Sequence, residues 1–254
     1  MLTELLDTNV FNFLLVFTRM GAGMMWMPGM SGQLIPERFR LLLALAITLV
    51  ILPVVSGMLP PVPGDPGRLF LLILGEVTVG VFIGVVVQML MVSLNLAATF
   101  IGFQVGLTNA LVFDPVVEQQ SSLLTGFMSN LAVVVMFATG MHHLMIETLV
   151  DSYRLFTPGQ ALPVGDLVQV VAQALDDGFT LGVRLAAPLV VFGLVFYTAL
   201  GLISKLAPQI PVFLVALPLQ IIFGLSLLMM SLATLMALFL RSFEDGLIRF
   251  LSPG

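Results

Sequence analysis

The sequence predicts an all-α fold: a polytopic membrane-type protein of helical hairpins. The first observation is composition. Of 254 residues, 59% are hydrophobic and 9% are charged, whereas a soluble domain carries about 25% charge to keep its surface wet. The second is charge spacing, which leaves residues 41–64, 77–113, 119–146, 185–204 and 206–240 without a formal charge. About 20 apolar residues, rising about 1.5 Å each, cross the hydrocarbon of a bilayer. The third is the pairing of a mean hydropathy of +1.14 with 23 Gly and 15 Pro, both commoner in transmembrane helices than in soluble ones.

This composition excludes an ordinary cytoplasmic enzyme, a disordered chain and a coiled coil. Net charge is −5 and the nine basic residues are scattered singly, so no patch neutralises a run of phosphates and nucleic acid is excluded as a partner. Cysteine is absent, which removes disulfides, thiol nucleophiles and Cys metal sites. Met1 to Asp7 carries Glu4 and Asp7 but no basic residue. It lacks the n-region of a cleavable signal peptide, so the first apolar stretch is expected to be kept as structure.

Helices are expected at 8–28, 37–58, 67–91, 93–111, 121–150, 166–204 with breaks, and 212–250. In the first, Arg19 is expected to face the bundle, and Met20, Met24, Met25, Met27 and Met30 bracket its end. Methionine fills irregular gaps or lines a compliant seal. The second is nearly all aliphatic and stops at Pro60, Pro61, Pro63, Gly64, Pro66 and Gly67, which cannot continue a helix. The uncharged run from Val77 to Phe113 is too long for one span and predicts two. Glu76 opens it, and reads as an acid near headgroups or a partner contact. Around Thr157, Pro158, Gly159 and Pro163 a second loop is expected, with Asp166 as the next N-cap. Leu167 to Leu175 has a wet face, expected to lie on the surface or re-enter. Pro208, Pro211 and Pro218 predict a broken or sharply turned hairpin. The last helix, about 33 residues and on the order of 50 Å, exceeds a bilayer core.

Catalytic chemistry finds no foothold. His142 and His143 are adjacent and are expected to point to different sides of their helix. With Glu147 at i+4 from His143 they make no catalytic metal centre. Ser121 and Ser122 lack a base nearby in sequence. The expectation is no enzyme and no cofactor. Arg38, Arg40, Arg68, Arg154, Arg241 and Arg249 do not fall on one side of the spans, as befits a chain positioned by partners. A stand-alone transporter would show an inverted repeat, and the Pro208–Pro218 break has no counterpart in the first half.

Residues 93–126 are less ordinary. Gly102, Gly106 and Ala110 form a small-residue stripe that lets another helix approach closely. Gln104, Thr108 and Asn109 would be costly facing lipid. A polar loop follows, with Phe113, Asp114, Pro115, Glu118, Gln119 and Gln120.

Three separated patterns, in order, carry a likeness to a known family. Residues 19–53 form an Arg-led helix running to a Pro, an apolar turn and an Ile-Pro-x-Arg step. Gly102 to Pro115 is a Gly-rich helix ending in Phe-Asp-Pro. Pro208, Gln209, Val212, Phe213, Pro218, Leu219, Ile221 and Gly224 form the third. Over essentially its whole length the chain resembles the FliR/SctT family of type III export-gate proteins. It departs from the family at Pro211, where Asn is common, at Ala216, where Gly is common, and at Gln220, where Lys is common.

The resemblance implies one copy in a tapered helical assembly with about five FliP and about four FliQ subunits, contacted by FlhB. Residues 1–165 would form a FliP-like portion and 166–254 a FliQ-like hairpin, with no catalysis and no cofactor. Unfolded flagellar subunits would pass through the centre, energised elsewhere. A plug loop at about 107–122 would include Leu107, Thr108, Asn109, Phe113 as stopper, and Asp114, Pro115 and Glu118 as its wetted part. The place would be the bacterial inner membrane at the flagellar basal body, among membrane lipid, with part of the assembly raised toward the periplasm. A virulence secretion system is the alternative setting.

Overall fold

The computed structural model describes residues 2–31, 35–107, 120–160, 162–209 and 211–251. Every long element among them is helical: α1 (Leu2–Met24), α2 (Glu37–Val55), α3 (Pro66–Val105), α4 (Gln120–Ala138), α5 (Met141–Leu155), α6 (Val164–Leu206) and α7 (Val212–Leu251), with a short 3-10 turn at Ser56–Met58 after α2.

Several boundaries differ from expectation. The run expected to form two helices, 67–91 and 93–111, is the single helix α3 of 40 residues. Nothing between Leu90 and Leu94 can break it, and bilayer thickness limits a span, not a helix. The segment expected as one helix over 121–150 is two, because Gly140 turns the chain with φ 79°, a conformation glycine adopts without cost. No break interrupts α6. Pro188 is accommodated inside it, and 167–175 forms its first turns. Pro218 likewise lies inside α7, so the break is confined to the residues before Val212. Helix α1 begins earlier than expected, at Leu2.

Helices α3 and α7 have 40 residues each and α6 has 43. At about 1.5 Å per residue these are roughly 60 Å long, about twice a hydrocarbon core. Among the described residues four helices are long and apolar enough to cross a membrane: Glu37–Met58 (counting the turn after α2), Pro66–Val105, Val164–Leu206 and Val215–Arg249. The pair Leu123–Ala138 and Met141–Leu155, bent by 78° at its break, would make a fifth span if it crosses as one. Only 17% of the apolar stretch of α6 is buried within the chain, so most of its surface meets lipid or other proteins.

The chain forms two compact units. The first comprises Met1–Leu90, Phe137–Leu175 and Glu244–Gly254. In it α1 packs on α2 and against the first half of α3. Gly84 makes that approach possible, since a Cβ there would stand 2.7 Å from the Gly23 carbonyl oxygen and 2.6 Å from Trp26 Cβ. The core includes Leu15, Val16, Ile83, Val87, Leu149 and four of the noted methionines, Met20, Met24, Met27 and Met30, while Met25 is exposed.

The second unit comprises Met91–Met136 and Asp176–Phe243. Here the second half of α3 is the centre. Asn95 accepts a hydrogen bond from Ser129 of α4 at 2.5 Å. Gly182 of α6 lies on the Ser93 carbonyl, where a Cβ would come to 2.8 Å. Leu94, Ala97, Ala98, Ile101 and Val105 are fully buried.

Candidate functional site

Helix α3 leads directly into the segment that the sequence singles out, and its end is built with care. The first four N–H and last four C=O groups of a helix have no partner inside it. Here the Gly106 N–H bonds the Phe103 carbonyl and the Leu107 N–H bonds the Gly102 carbonyl, each at 3.2 Å. This is a Schellman termination, in which the residue after the last helical one adopts the left-handed conformation. Gly106 does so, with φ 84°. It therefore ends the helix rather than continuing a stripe along it, while Gly102 lies in ordinary contact with Leu124 of α4, at 3.8 Å for an added Cβ.

The next carbonyl, that of Gln104, is taken by a side chain from α7. Gln220 Nε2 donates to it at 3.0 Å and to the Tyr197 hydroxyl oxygen of α6 at 2.9 Å. Gln220 is 1% exposed, so water does not stand in for these bonds. Its amide also lies on Gly106, where any Cβ would meet it at 2.9 Å. Two more glycines bring the helices this close. Gly224 of α7 lies against Val105, with Cα 2.9 Å from an added Cβ, and Gly193 of α6 receives the Gln104 side chain. Three helices thus clasp the point where the chain leaves α3.

Leu107 is the last described residue of that exit. Thr108, Asn109, Ala110, Phe113, Asp114, Pro115 and Glu118 lie outside the described residues. Pro208 sits in the turn after α6, where the Ala207 N–H closes on the Ile203 carbonyl at 2.9 Å. Pro211 stands just before α7, and Pro218 two residues before Gln220 within it.

The first unit holds a second polar cluster. Arg19 of α1 is 1% exposed and Glu76 of α3 2%. They pair through two bonds, Nε to Oε2 at 2.6 Å and an Nη2 donation to Oε1 at 2.9 Å. The guanidinium also donates to Ser152 Oγ at 3.3 Å and to the Phe156 carbonyl at 2.9 Å, and lies 4.0 Å from the centre of the Tyr153 ring. Glu76 is buried within the chain against Arg19, a pairing the sequence did not suggest. It neutralises Arg19, since a lone charge in such surroundings is costly unless paired. Opposite lone charges in two apolar helices were the available signal, and the pairing itself escaped it. A cavity of about 580 Å³ adjoins the pair and is lined also by Arg68, Pro60 and Gln160.

His142 and His143 do not diverge. Their rings are 4.0 Å apart, with His142 stacked on Phe137 at 4.9 Å. Position in the first turn of α5 allows it, because His143 Nδ1 leans back to 3.3 Å from the Gly140 carbonyl. Among the described residues no group of three or more His, Asp or Glu could hold a metal.

Comparison with known proteins adds to this geometry. The family of bacterial export proteins, family 1, matches residues 10–246. The flagellar biosynthetic protein FliR of Caulobacter vibrioides is 40% identical over 225 residues, covering 89% of this chain and 90% of that one. FliR of Bacillus subtilis is 29% identical over 212 residues, with 82% and 81% covered. The Yop proteins translocation protein T of Yersinia pestis is 25% identical over 229 residues, with 87% and 85% covered.

Proposed function

The chain belongs to the FliR/SctT family of bacterial export proteins, and from that premise we propose that it is a non-catalytic core subunit of the flagellar type III export gate. It sits in the inner membrane at the basal body and forms, with FliP and FliQ and in contact with FlhB, the channel for unfolded flagellar proteins. Residues 1–165 supply a FliP-like portion and 166–254 a FliQ-like hairpin. The 40% identity to a flagellar relative, against 25% to the Yersinia translocation protein, favours the flagellar setting. Helices of roughly 60 Å suit a body that continues beyond the bilayer, among other helices.

The segment of residues 107–122, whose last three residues already belong to α4, closes the idle channel. Phe113 is the apolar stopper, and Asp114 and Glu118 keep the loop wetted and movable. The observation that carries this reading is the clasped end of α3: Gly106 and Gln220 fix the point from which the loop departs. A closure must be anchored at a rigid point to seat reproducibly, and its tip must be free to leave.

Two measurements test the proposal. Native mass spectrometry of the tagged chain, co-expressed with its genomic neighbours, is expected to find one copy in a fixed hetero-oligomer with two other small membrane proteins. A lone monomer or homodimer, with the neighbours present but unbound, refutes the assembly. Deleting residues 113–120 is expected to leave the oligomer intact and make the cell membrane permeable to ions and small solutes. Wild-type permeability in cells where the complex forms refutes the plug.

A further inference from the structure

We propose that Gln220 is the positioning residue of the closed gate: its amide, braced by Tyr197, locks the C-terminal turn of α3 and so holds the departure point of the chain at Leu107. This rests on the plug reading for its consequence, though not for its geometry. Both hydrogens of the Gln220 amide are in use, one on the Gln104 carbonyl at 3.0 Å and one on the Tyr197 oxygen at 2.9 Å. The two partners lie on different helices, α3 and α6, and Gln220 comes from a third. A single side chain therefore ties three elements at the place where regular structure stops.

The chemistry fits a lock. The Gln104 carbonyl belongs to the last turn of α3, where carbonyl groups lack helical partners and the helix end carries partial negative charge. A donor is required there. An acceptor such as carboxylate would be repelled. The glycine contacts at 106, 193 and 224 leave no slack: the nearest atoms to added Cβ positions at 106 and 224 are 2.9 Å away. Releasing the helix end thus means withdrawing Gln220, and retaining Gln220 means retaining the turn. The bonds are neutral, each worth little enough to break during transport and enough together to bias the idle state.

The test compares three variants in the complete complex, co-expressed with its genomic neighbours. Gln220→Met keeps length and removes both donors. Gln220→Lys keeps a donor and suits a helix C-terminus. Tyr197→Phe removes only the bracing oxygen. The first readout is amide hydrogen exchange at Gly106 and Leu107, whose N–H groups close the turn. Exchange there is expected to quicken by about tenfold in Gln220→Met, less in Tyr197→Phe, and to stay near wild type in Gln220→Lys. The second is small-solute permeability of the cells, expected to rise in the same order. Unchanged exchange in the Met variant, or equal exchange in the Met and Lys variants, overturns the lock. If the Met variant does not assemble, Tyr197→Phe decides in its place, and wild-type exchange there overturns it. Quickened exchange without a rise in permeability overturns the claim that the lock holds the gate. The deletion of residues 113–120, run in parallel, shows separately whether the plug reading stands.

Discussion

Breaking the Arg19–Glu76 pair is the sharpest perturbation available in the first unit. Both side chains are almost wholly buried, at 1% and 3% exposure, so solvent screening does not soften the change. Glu76→Gln removes the negative charge and turns one of the two acceptors into a donor facing a guanidinium that only donates. Arg19 is then a buried cation with neutral partners alone: Ser152 Oγ, the Phe156 carbonyl and the face of Tyr153. Removing one member of a buried pair costs about 3–5 kcal/mol, mostly the penalty of the charge left behind. Arg19→Met strands the carboxylate and costs a similar amount. The double variant Arg19→Met with Glu76→Met removes both charges and keeps volume, so it costs less than either single change, about 1–2 kcal/mol for the lost contacts to Ser152 and Phe156. A coupling energy above about 3 kcal/mol follows from this cycle.

The assay is the melting midpoint of the chain within the detergent-extracted complex. For a chain of this size about 1 kcal/mol moves the midpoint by about 2–4 °C. The single variants should therefore fall by roughly 6–20 °C, with the double variant recovering most of that. A Glu76→Gln protein melting within about 2 °C of wild type would refute the reasoning. So would a double variant as unstable as the singles, because the loss would then come from packing and not from stranded charge.

The glycine contacts give further expectations. Gly84→Ala places a Cβ 2.7 Å from the Gly23 carbonyl and 2.6 Å from Trp26 Cβ, and should destabilise by about 1–3 kcal/mol, read as a lower midpoint. Gly201→Ala meets nothing within 4 Å and should be neutral or stabilising by up to about 1 kcal/mol; equal losses at both sites would show that glycine acts at 84 through something other than space. Gly106→Leu forces a side chain into φ 84° and onto Gln220 at 2.9 Å, where the backbone conformation alone costs about 1–2 kcal/mol. Co-purification with its partners should be lost, and normal recovery of the complex would count against the clasp.

Much of the helical frame was legible because hydrophobicity sums over long windows. The uncharged run from Leu185 lies wholly in α6, and those from Leu41 and Leu206 fill most of α2 and α7, leaving only Pro-containing turns outside; Gly140 was the local exception, set within an otherwise uncharged run. The division of α3 at residue 92 failed for a physical reason. Bilayer thickness served as the ruler, yet Leu90 to Leu94 offers no breaker, and a helix extends as long as its backbone bonds and packing allow. The polar clusters were harder to read. Arg19 and Glu76 each stand out as lone charges, but their pairing spans 57 positions and depends on how α1 crosses α3. Gln220 stood out only as a departure from a family pattern. Its meaning requires Gln104, Gly106 and Tyr197 to meet it in space, which no spacing along the chain reveals.

The two clasps differ in strength, and the difference matters for a gate. Arg19 and Glu76 form a charge-assisted, doubly bonded pair with three further contacts to the guanidinium, and no member leaves without stranding a charge. Gln220 joins its helices by two neutral hydrogen bonds, each contributing about 0.5–1.5 kcal/mol net. At those magnitudes the charged clasp is the harder of the two to open, because opening it leaves a buried charge unpaired. The neutral one opens for a few kcal/mol, on the scale of the modest gaps that separate the states of a switch. If the proposed function holds, a protein that must keep its frame while a passing chain displaces its closure is served by placing charge in the frame and neutral amide at the closure. Reversing them would make the frame yield before the gate. Gln220→Lys probes that reasoning from the other side: it retains a donor to the α3 terminus, and near-wild-type exchange at Gly106 and Leu107 would show that the donor, not the shape of the side chain, holds the turn.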